Sequence, residues 1–225
     1  MILNLPIDVW LMLITYLPGP VGNKLRYLLW RKRLKYLGKN VRIDTGVYFQ
    51  NPKFISIDDN CWIDRNVMIL AGLDNSKREK IVLKNREFKV EPGVVFIGKN
   101  IHIGPACIIS GISAGIYISD NCGLSANCKV YAFSSHYRSI KNPADTNICF
   151  GSMVPHICQC LIEGPIFLGT NTGIALNVVI LPGVAIPENC FVAINSVVGY
   201  GRYNPNSIIS GNPAKKTGER FKISE

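Results

Sequence analysis

An aliphatic residue at every sixth position constrains this 225-residue chain more than any other feature. The longest run is Ile162, Leu168, Ile174, Ile180, Ile186, Val192 and Val198. An earlier register reads Ile97, Ile103, Ile109 and, after a shift, Ile118, Leu124, Val130; a third reads Ile57, Ile63, Ile69. A period of six is neither the 3.6 of a helix nor the plain alternation of a flat strand. It is what short strands and tight corners leave when a chain winds into a parallel β-helix. With three six-residue faces per coil, each aliphatic side chain points inward and stacks on its counterpart in the next coil. Each such burial is worth about 1.5–3 kcal/mol of apolar transfer. The corners need residues that tolerate left-handed backbone, and Asp59-Asn60, Lys99-Asn100, Asp120-Asn121, Thr170-Asn171 and Glu188-Asn189 stand there. A β-sandwich would have to meet seven consecutive aliphatic residues at one spacing by coincidence.

Three stretches differ in character. Residues 1–40 form an apolar and then basic lead-in, expected to be helical. Residues 41–211 carry the β-helix, interrupted by insertions at about 74–92 and 136–160, and residues 212–225 form a polar, basic tail. With 48% apolar and only 18% charged residues, the chain is not disordered. The first insertion is charged (Lys77, Arg78, Glu79, Lys80, Lys84, Arg86, Glu87, Lys89) and reads either as a solvated loop or exposed hairpin, or as a loop that positions an acceptor. The second is polar and irregular, and a loop of that length in a compact domain is usually functional or disordered.

Eight cysteines invite a disulfide framework, but a chain of this size does not need one. Cys61, Cys107, Cys122, Cys128 and Cys190 all fall four places after a ladder residue, a slot otherwise held by Val67, Ser113, Ser134, Val178, Val184 or Ser196. They read as core fillers, since a free thiol packs like a small hydrophobe. Cys149, Cys158 and Cys160 lie outside the register; Cys158-Gln-Cys160 lacks zinc-site spacing, and no metal is expected.

The ladder, the segment Asn177-Val-Val-Ile-Leu-Pro-Gly-Val184, the exit motif Gly211-Asn-Pro-Ala-Lys215 and Ser134-Ser-His136 at the start of an interruption together resemble the hexapeptide-repeat acyltransferases. The likeness covers roughly residues 36–217 and is greatest to their sugar O- and N-acetyltransferase branch, which serves surface-polysaccharide synthesis. It implies a left-handed β-helix, a handedness taken from the resemblance alone because parallel crossovers are otherwise right-handed. It also implies a homotrimer with clefts between subunits, acetyl-CoA as donor, and a sugar or glycan acceptor, plausibly lipid-linked or nucleotide-linked. Carried over by position, the cofactor contacts are Leu176, Ile194, Gly199 and Lys215. Lys215 reads either as a point charge for a phosphate or as a solvated surface residue. Gly173 stands where the family often has Trp, Ala175-Leu176 replaces a smaller pair, and Tyr200-Gly-Arg202 replaces Thr-Lys-Asp. Nothing matches the carboxylate and Asn with which galactoside acetyltransferases hold their sugar, so a simple galactoside is not the expected acceptor.

Acyl transfer from a thioester needs a base for the attacking hydroxyl or amine, and imidazole suits that task near neutrality. Of three histidines, His102 sits in a regular repeat and reads as outward-facing or corner-filling. His156 is a satisfied loop residue or a secondary contact. His136 stands where the ladder leaves the coil, and its position matches the family's catalytic His. It is expected to act as general base in a direct ternary-complex transfer, its other ring nitrogen held by a backbone carbonyl or carboxylate, with a backbone N–H meeting the oxyanion. Two other readings exist: a γ-class carbonic anhydrase-like zinc enzyme using all three histidines, and a non-catalytic β-helix scaffold.

The charge of +10 favours an anionic partner. Eight basic residues and no acid lie between Lys24 and Arg42 (Lys24, Arg26, Arg31, Lys32, Arg33, Lys35, Lys39, Arg42), just after the apolar segment Ile7 to Leu17. That pairing fits a peripheral contact with an anionic membrane. It fits equally a helical pair capping the open end of the β-helix, and the two are compatible. No basic strand set with interleaved aromatics appears, so nucleic acid is not expected. The apolar run follows Asp8 rather than a basic leader, ends without a small-residue cleavage site, and is short of the roughly 20 residues a bilayer requires. The expected setting is the cytoplasm, at the inner face of the membrane if the lead-in binds it.

Overall fold

The computed structural model describes residues 5–84 and 88–221. Two helices, α1 (Leu5–Tyr16) and α2 (Gly19–Arg31), precede a parallel β-helix with three faces. The first face runs from Tyr36–Leu37 to Ala185–Ile186 and the third from Tyr48–Gln50 to Val197–Val198. The second begins at Arg42–Ile43 and ends in an antiparallel hairpin, Ser207–Gly211 with Ala214–Glu219.

Strand register converts the hexad ladder into three columns. Leu37, Ile57, Ile97, Ile118, Leu168 and Ile186 stack on the first face. Ile43, Ile63, Ile103, Leu124, Ile174, Val192 and Ile209 stack on the second. Phe49, Ile69, Ile109, Val130, Ile180 and Val198 stack on the third, and all three columns are buried in one core. Within every coil the spacing is six. Each excess of chain falls between the third face and the first: Phe49 to Ile57, Ile69 to Ile97, Ile109 to Ile118 and Val130 to Leu168.

Corner chemistry explains the asymmetry. The first corner puts an asparagine at positive φ in every coil (Asn40, Asn60, Asn100, Asn121, Asn171, Asn189), and the second does so at Asn66, Asn127, Asn177 and Asn195. Asparagine tolerates this region because its short amide bonds locally. The first-corner amides also bond coil to coil: Asn40 donates to Asn60 at 3.1 Å, Asn60 to Asn100 at 3.2 Å, and Asn100 to Asn121 at 2.9 Å. An extra residue there would break both the turn and the amide chain. The third corner has no such column and is where the insertions leave.

The five in-register cysteines are buried and unpaired, as their slot requires. Burial pushes the Cys61 and Cys122 thiols up to about 11, which keeps them protonated and inert near neutrality. Three expectations need correction. Ile162 is only half-buried, on a strand outside the coil, so the unbroken ladder begins at Leu168. Ser134 is exposed for the same reason. The first coil begins inside the lead-in, at Tyr36–Leu37, because Leu37, Ile43 and Phe49 already carry the hexad spacing.

The helices cap the coil. Arg26 is 1% exposed: its Nε donates to the Ile43 carbonyl at 2.8 Å, and its Nη1 donates to Ile14 and Leu17 carbonyls at 2.9 and 2.7 Å. One guanidinium thus satisfies a strand carbonyl of the first coil and the C-terminal carbonyls of α1. It is a capping residue rather than part of a basic surface. Trp30 packs edge-on against Phe49 with centroids 4.7 Å apart. The outer side of the pair stays apolar, with Trp10, Met12, Leu13, Tyr16 and Val21 exposed. The side chain of Ile7, and Arg86 and Glu87 of the first insertion, lie outside the described residues. No described helix is long and apolar enough to cross a membrane.

Ile103 sits mid-column with a neighbour on either side. Ile103→Ala is expected to lower unfolding free energy by roughly 2–5 kcal/mol, read from urea midpoints at constant m.

Candidate active site

At the third corner the chain leaves the coil and builds a small sheet of its own. Strand Phe133–Ser135 pairs antiparallel with Cys160–Glu163, which pairs parallel with Glu79–Val82. The first insertion is therefore neither a solvated loop nor a free hairpin; its strand is docked against the second insertion. His136 follows directly, its N–H donating to the Cys160 carbonyl at 2.8 Å. Its Nδ1 lies 2.8 Å from the Arg138 carbonyl oxygen. A carbonyl only accepts, so Nδ1 carries the hydrogen and Nε2 keeps its lone pair. The ring packs beside Tyr137, with centroids 4.4 Å apart, and the Cys160 sulfur lies 4.0 Å from Nδ1. Burial, then the Glu79 charge, push the Cys160 thiol up, so it stays a neutral wall behind the imidazole.

Charged residues of the first insertion hold this sheet in place. Glu79 accepts from Ser139 Oγ at 2.7 Å, Ile140 N–H at 2.7 Å and Lys141 N–H at 2.8 Å. Gln159 is buried; it accepts from Arg78 at 3.1 Å and donates to the Gly151 and Val154 carbonyls at 3.1 and 2.9 Å, tying down the second insertion. Lys80 reaches Asp74 at 3.2 Å and Glu163 at 3.3 Å, and Ser113 of the coil donates to Glu163. Burial alone would raise the Asp74 carboxyl, but hydrogen bonds from Ser76 and Lys80 outweigh it and bring it to about 2.

The remaining candidates lie elsewhere. Leu176 and Ile194 occupy successive coils of the second corner, where Asn195 N–H donates to the Leu176 carbonyl at 3.0 Å; they are 44% and 56% exposed. Gly199 follows the last strand of the third face, with open space where a Cβ would be. Lys215 pairs with Ser210 in the closing hairpin and, with Tyr200 and Arg202, lines a cavity of about 360 Å³. An adjoining cleft of about 750 Å³ is lined by Lys84, Phe88, Tyr200 and Arg202. The fold thus pairs Leu176 with Ile194 and sets Gly199 near Lys215, whereas His136 stands on a different corner of the same chain. His102 faces outward on the second face, 4.7 Å from the Trp62 ring and 3.4 Å from Asp64. His156 is exposed in a short turn, His156–Cys158. Among the described residues no three His, Cys, Asp or Glu side chains converge as a metal site.

No family model matches the chain. A “probable macrolide acetyltransferase” of Lysinibacillus sphaericus is 32% identical over 133 residues, which is 59% of this chain and 67% of that protein. This chain belongs to the hexapeptide-repeat acyltransferases. Its left-handed β-helix fold is shared with solved members. The Bacillus cereus N-acyltransferase AntD, in complex with dTDP and Coenzyme A, superposes with a TM-score of 0.69 at 24% identity, over 87% of this chain and 89% of AntD. A hexapeptide-repeat-containing acetyltransferase of Vibrio cholerae, complexed with acetyl coenzyme A, reaches 0.55 at 21% identity, over 98% and 92%. A maltose O-acetyltransferase of Clostridium difficile reaches 0.51 at 18%, over 96% and 86%.

In this acyltransferase, sequence reasoning singled out His136 but missed the residues that hold it: Asp74, Arg78, Glu79, Lys80, Gln159 and Glu163. The available signal was a dense run of charge inside an otherwise charge-poor ladder, ending in the strand-like Glu79-Lys-Ile-Val82. The Asp74 cluster makes stability acid-sensitive in a defined direction. Asp74 takes up its proton at 3.8 when unfolded and at about 2 when folded, so its contribution is complete above 3.8 and fades as pH falls toward 2. The urea midpoint of the wild type is expected to drop across that window. Asp74→Asn should be less stable at neutral pH and show a flatter decline.

Proposed function

We propose that this acyltransferase moves an acetyl group from acetyl-CoA to a hydroxyl or amine of a sugar, with His136 as general base. The observation that carries the reading is the Nδ1–H bond to the Arg138 carbonyl, which leaves Nε2 as the free base at the corner where the insertions project. The acceptor O–H or N–H gives its proton to Nε2 as its heteroatom attacks the thioester carbonyl. Collapse of the tetrahedral species expels the CoA thiolate, which takes the proton back from His136. The developing imidazolium strengthens its hydrogen bond to the Arg138 carbonyl, a charge-assisted gain.

The donor side of this reading uses Leu176 and Ile194 to flank the pantetheine, side-chain-free Gly199 to admit it, and Lys215 as a charge for a phosphate. Because these stand on other parts of the chain than His136, the reading includes a homotrimer that sets one subunit's third corner against its neighbour. Support comes from the relatives: AntD was solved with Coenzyme A and dTDP, and the Vibrio cholerae enzyme with acetyl coenzyme A. A sugar carried on a lipid or a nucleotide is the acceptor class proposed, with a place in glycan synthesis.

The membrane contact belongs to the same reading. Exposed Trp10, Met12, Leu13 and Tyr16 adjoin exposed Lys24, Arg31, Lys32, Arg33 and Lys39, so apolar insertion and attraction to anionic headgroups act together. A lipid-linked acceptor would then meet the enzyme at the bilayer surface.

Incubation with acetyl-CoA and a panel of nucleotide-sugars, oligosaccharides and a macrolide, following free thiol release, tests the activity. His136→Ala is expected to cut turnover by about 10² or more. A folded variant with full turnover would remove His136 from the mechanism. On vesicles, the protein should sediment with phosphatidylcholine containing phosphatidylglycerol and not with phosphatidylcholine alone. Raised salt or the pair Trp10→Glu and Met12→Glu should abolish that binding.

A further inference from the structure

From the geometry at the third corner we infer that Glu79 is a positioning residue, which sets the tautomer and direction of the His136 imidazole through the turn at residues 138–141. The inference rests on the proposed role of His136 and adds the device that keeps its Nε2 free.

The chain of contacts is short and continuous. His136 Nδ1–H donates to the Arg138 carbonyl at 2.8 Å. The next three residues all donate to one carboxylate: Ser139 Oγ to Glu79 Oε2, and the Ile140 and Lys141 N–H groups to Oε1. Ser139 is itself buried, and its Oγ accepts from Asn142 N–H at 3.0 Å, closing the turn on itself. The Arg138 carbonyl is therefore held from its C-terminal side by an anchor some 60 residues away in sequence. On the other side the His136 N–H is held by the Cys160 carbonyl, and Cys160 pairs with Glu79 in the small sheet. Glu79 thus touches the support of the imidazole by two routes, backbone pairing through Cys160 and side-chain bonding through the turn. The first-insertion strand has no other link to the His136 loop that reaches this turn. That gives the charged insertion a reason to dock where it does.

The physical need is specific. A surface imidazole exchanges freely between two neutral tautomers, and only the one protonated on Nδ1 presents a lone pair at Nε2. A backbone carbonyl selects it only if the loop bearing that carbonyl is fixed, because a short exposed turn moves easily. Three hydrogen bonds to an ionised carboxylate fix it, and bonds to a charged acceptor are the strong kind. The charged and titratable groups around the imidazole are Arg138, Tyr137 and Lys141 on its own loop, and Cys160 and Glu79 on the packed strands. Among them only Glu79 bonds the turn.

The test separates this inference from the proposed reaction by a readout that needs no substrate. Full-length protein labelled with 15N-histidine, its His136 resonances assigned with His136→Asn, reports the tautomer directly. The wild type should show the Nδ1–H form. Glu79→Ala should shift His136 toward a mixture of tautomers and lower kcat about 10- to 100-fold, part of the roughly 10²–10⁴ a general base supplies. KM for acetyl-CoA should not change. Glu79→Gln, which keeps one oxygen for the Ile140 and Lys141 N–H groups, should restore most of the wild-type signature. If Glu79→Ala does not fold, Glu79→Asp withdraws the carboxylate by one methylene and must produce the same tautomer shift. A folded Glu79→Ala or Glu79→Asp with the wild-type His136 signature overturns the inference, even if kcat falls. Should no sugar be acetylated, the proposed function fails while the tautomer result still decides the role of Glu79.

Discussion

Side-by-side stacking of aliphatic side chains between coils is the interaction on which the remaining structure rests. Each coil is too small to bury its own inner face, so stability comes from the three columns taken together. Every column residue must meet a counterpart directly above or below, which forbids any shift of register within a coil. Two corners are further locked by asparagines at positive φ, the first of them by a bonded amide chain as well. Extra chain has one way out, at the third corner.

That single permitted exit explains where the chemistry is. The two long excursions leave at the same corner in successive coils, so they emerge as neighbours and pair into a small sheet. A loop alone would present an imidazole in many orientations. Here it is backed by Cys160, braced through Glu79 and joined to the coil through the cluster of Asp74, Lys80, Glu163 and Ser113. The polar interior of this sheet is satisfied group by group, which is what lets a partly exposed appendage hold a defined geometry.

Much of the fold was legible because its period is unusual and its corner residues are chemically distinctive. The hexad ladder, the corner asparagines and the small slot filled by five cysteines each appear in the chain as written. Ile162 shows the limit of that reading. It keeps the spacing by chance, and only strand pairing reveals that it belongs to the appended sheet rather than to the coil. Arg26 shows another: among eight basic residues it looks like surface charge, yet it is the one that caps three carbonyls. His136 could be picked out because only three histidines exist and one stands where the ladder stops. Glu79 could not, since its partner turn lies about 60 residues downstream and no local pattern links them.

The amino-acid order by itself determined the winding, the core and the place of the breaks, since these depend on repeats within a few residues. Which excursions meet, which carboxylate braces which turn and which ring nitrogen stays free were decided only in three dimensions. Those contacts join segments that are distant along the chain, and their energies depend on hydrogen-bond geometry, which residue type alone does not carry.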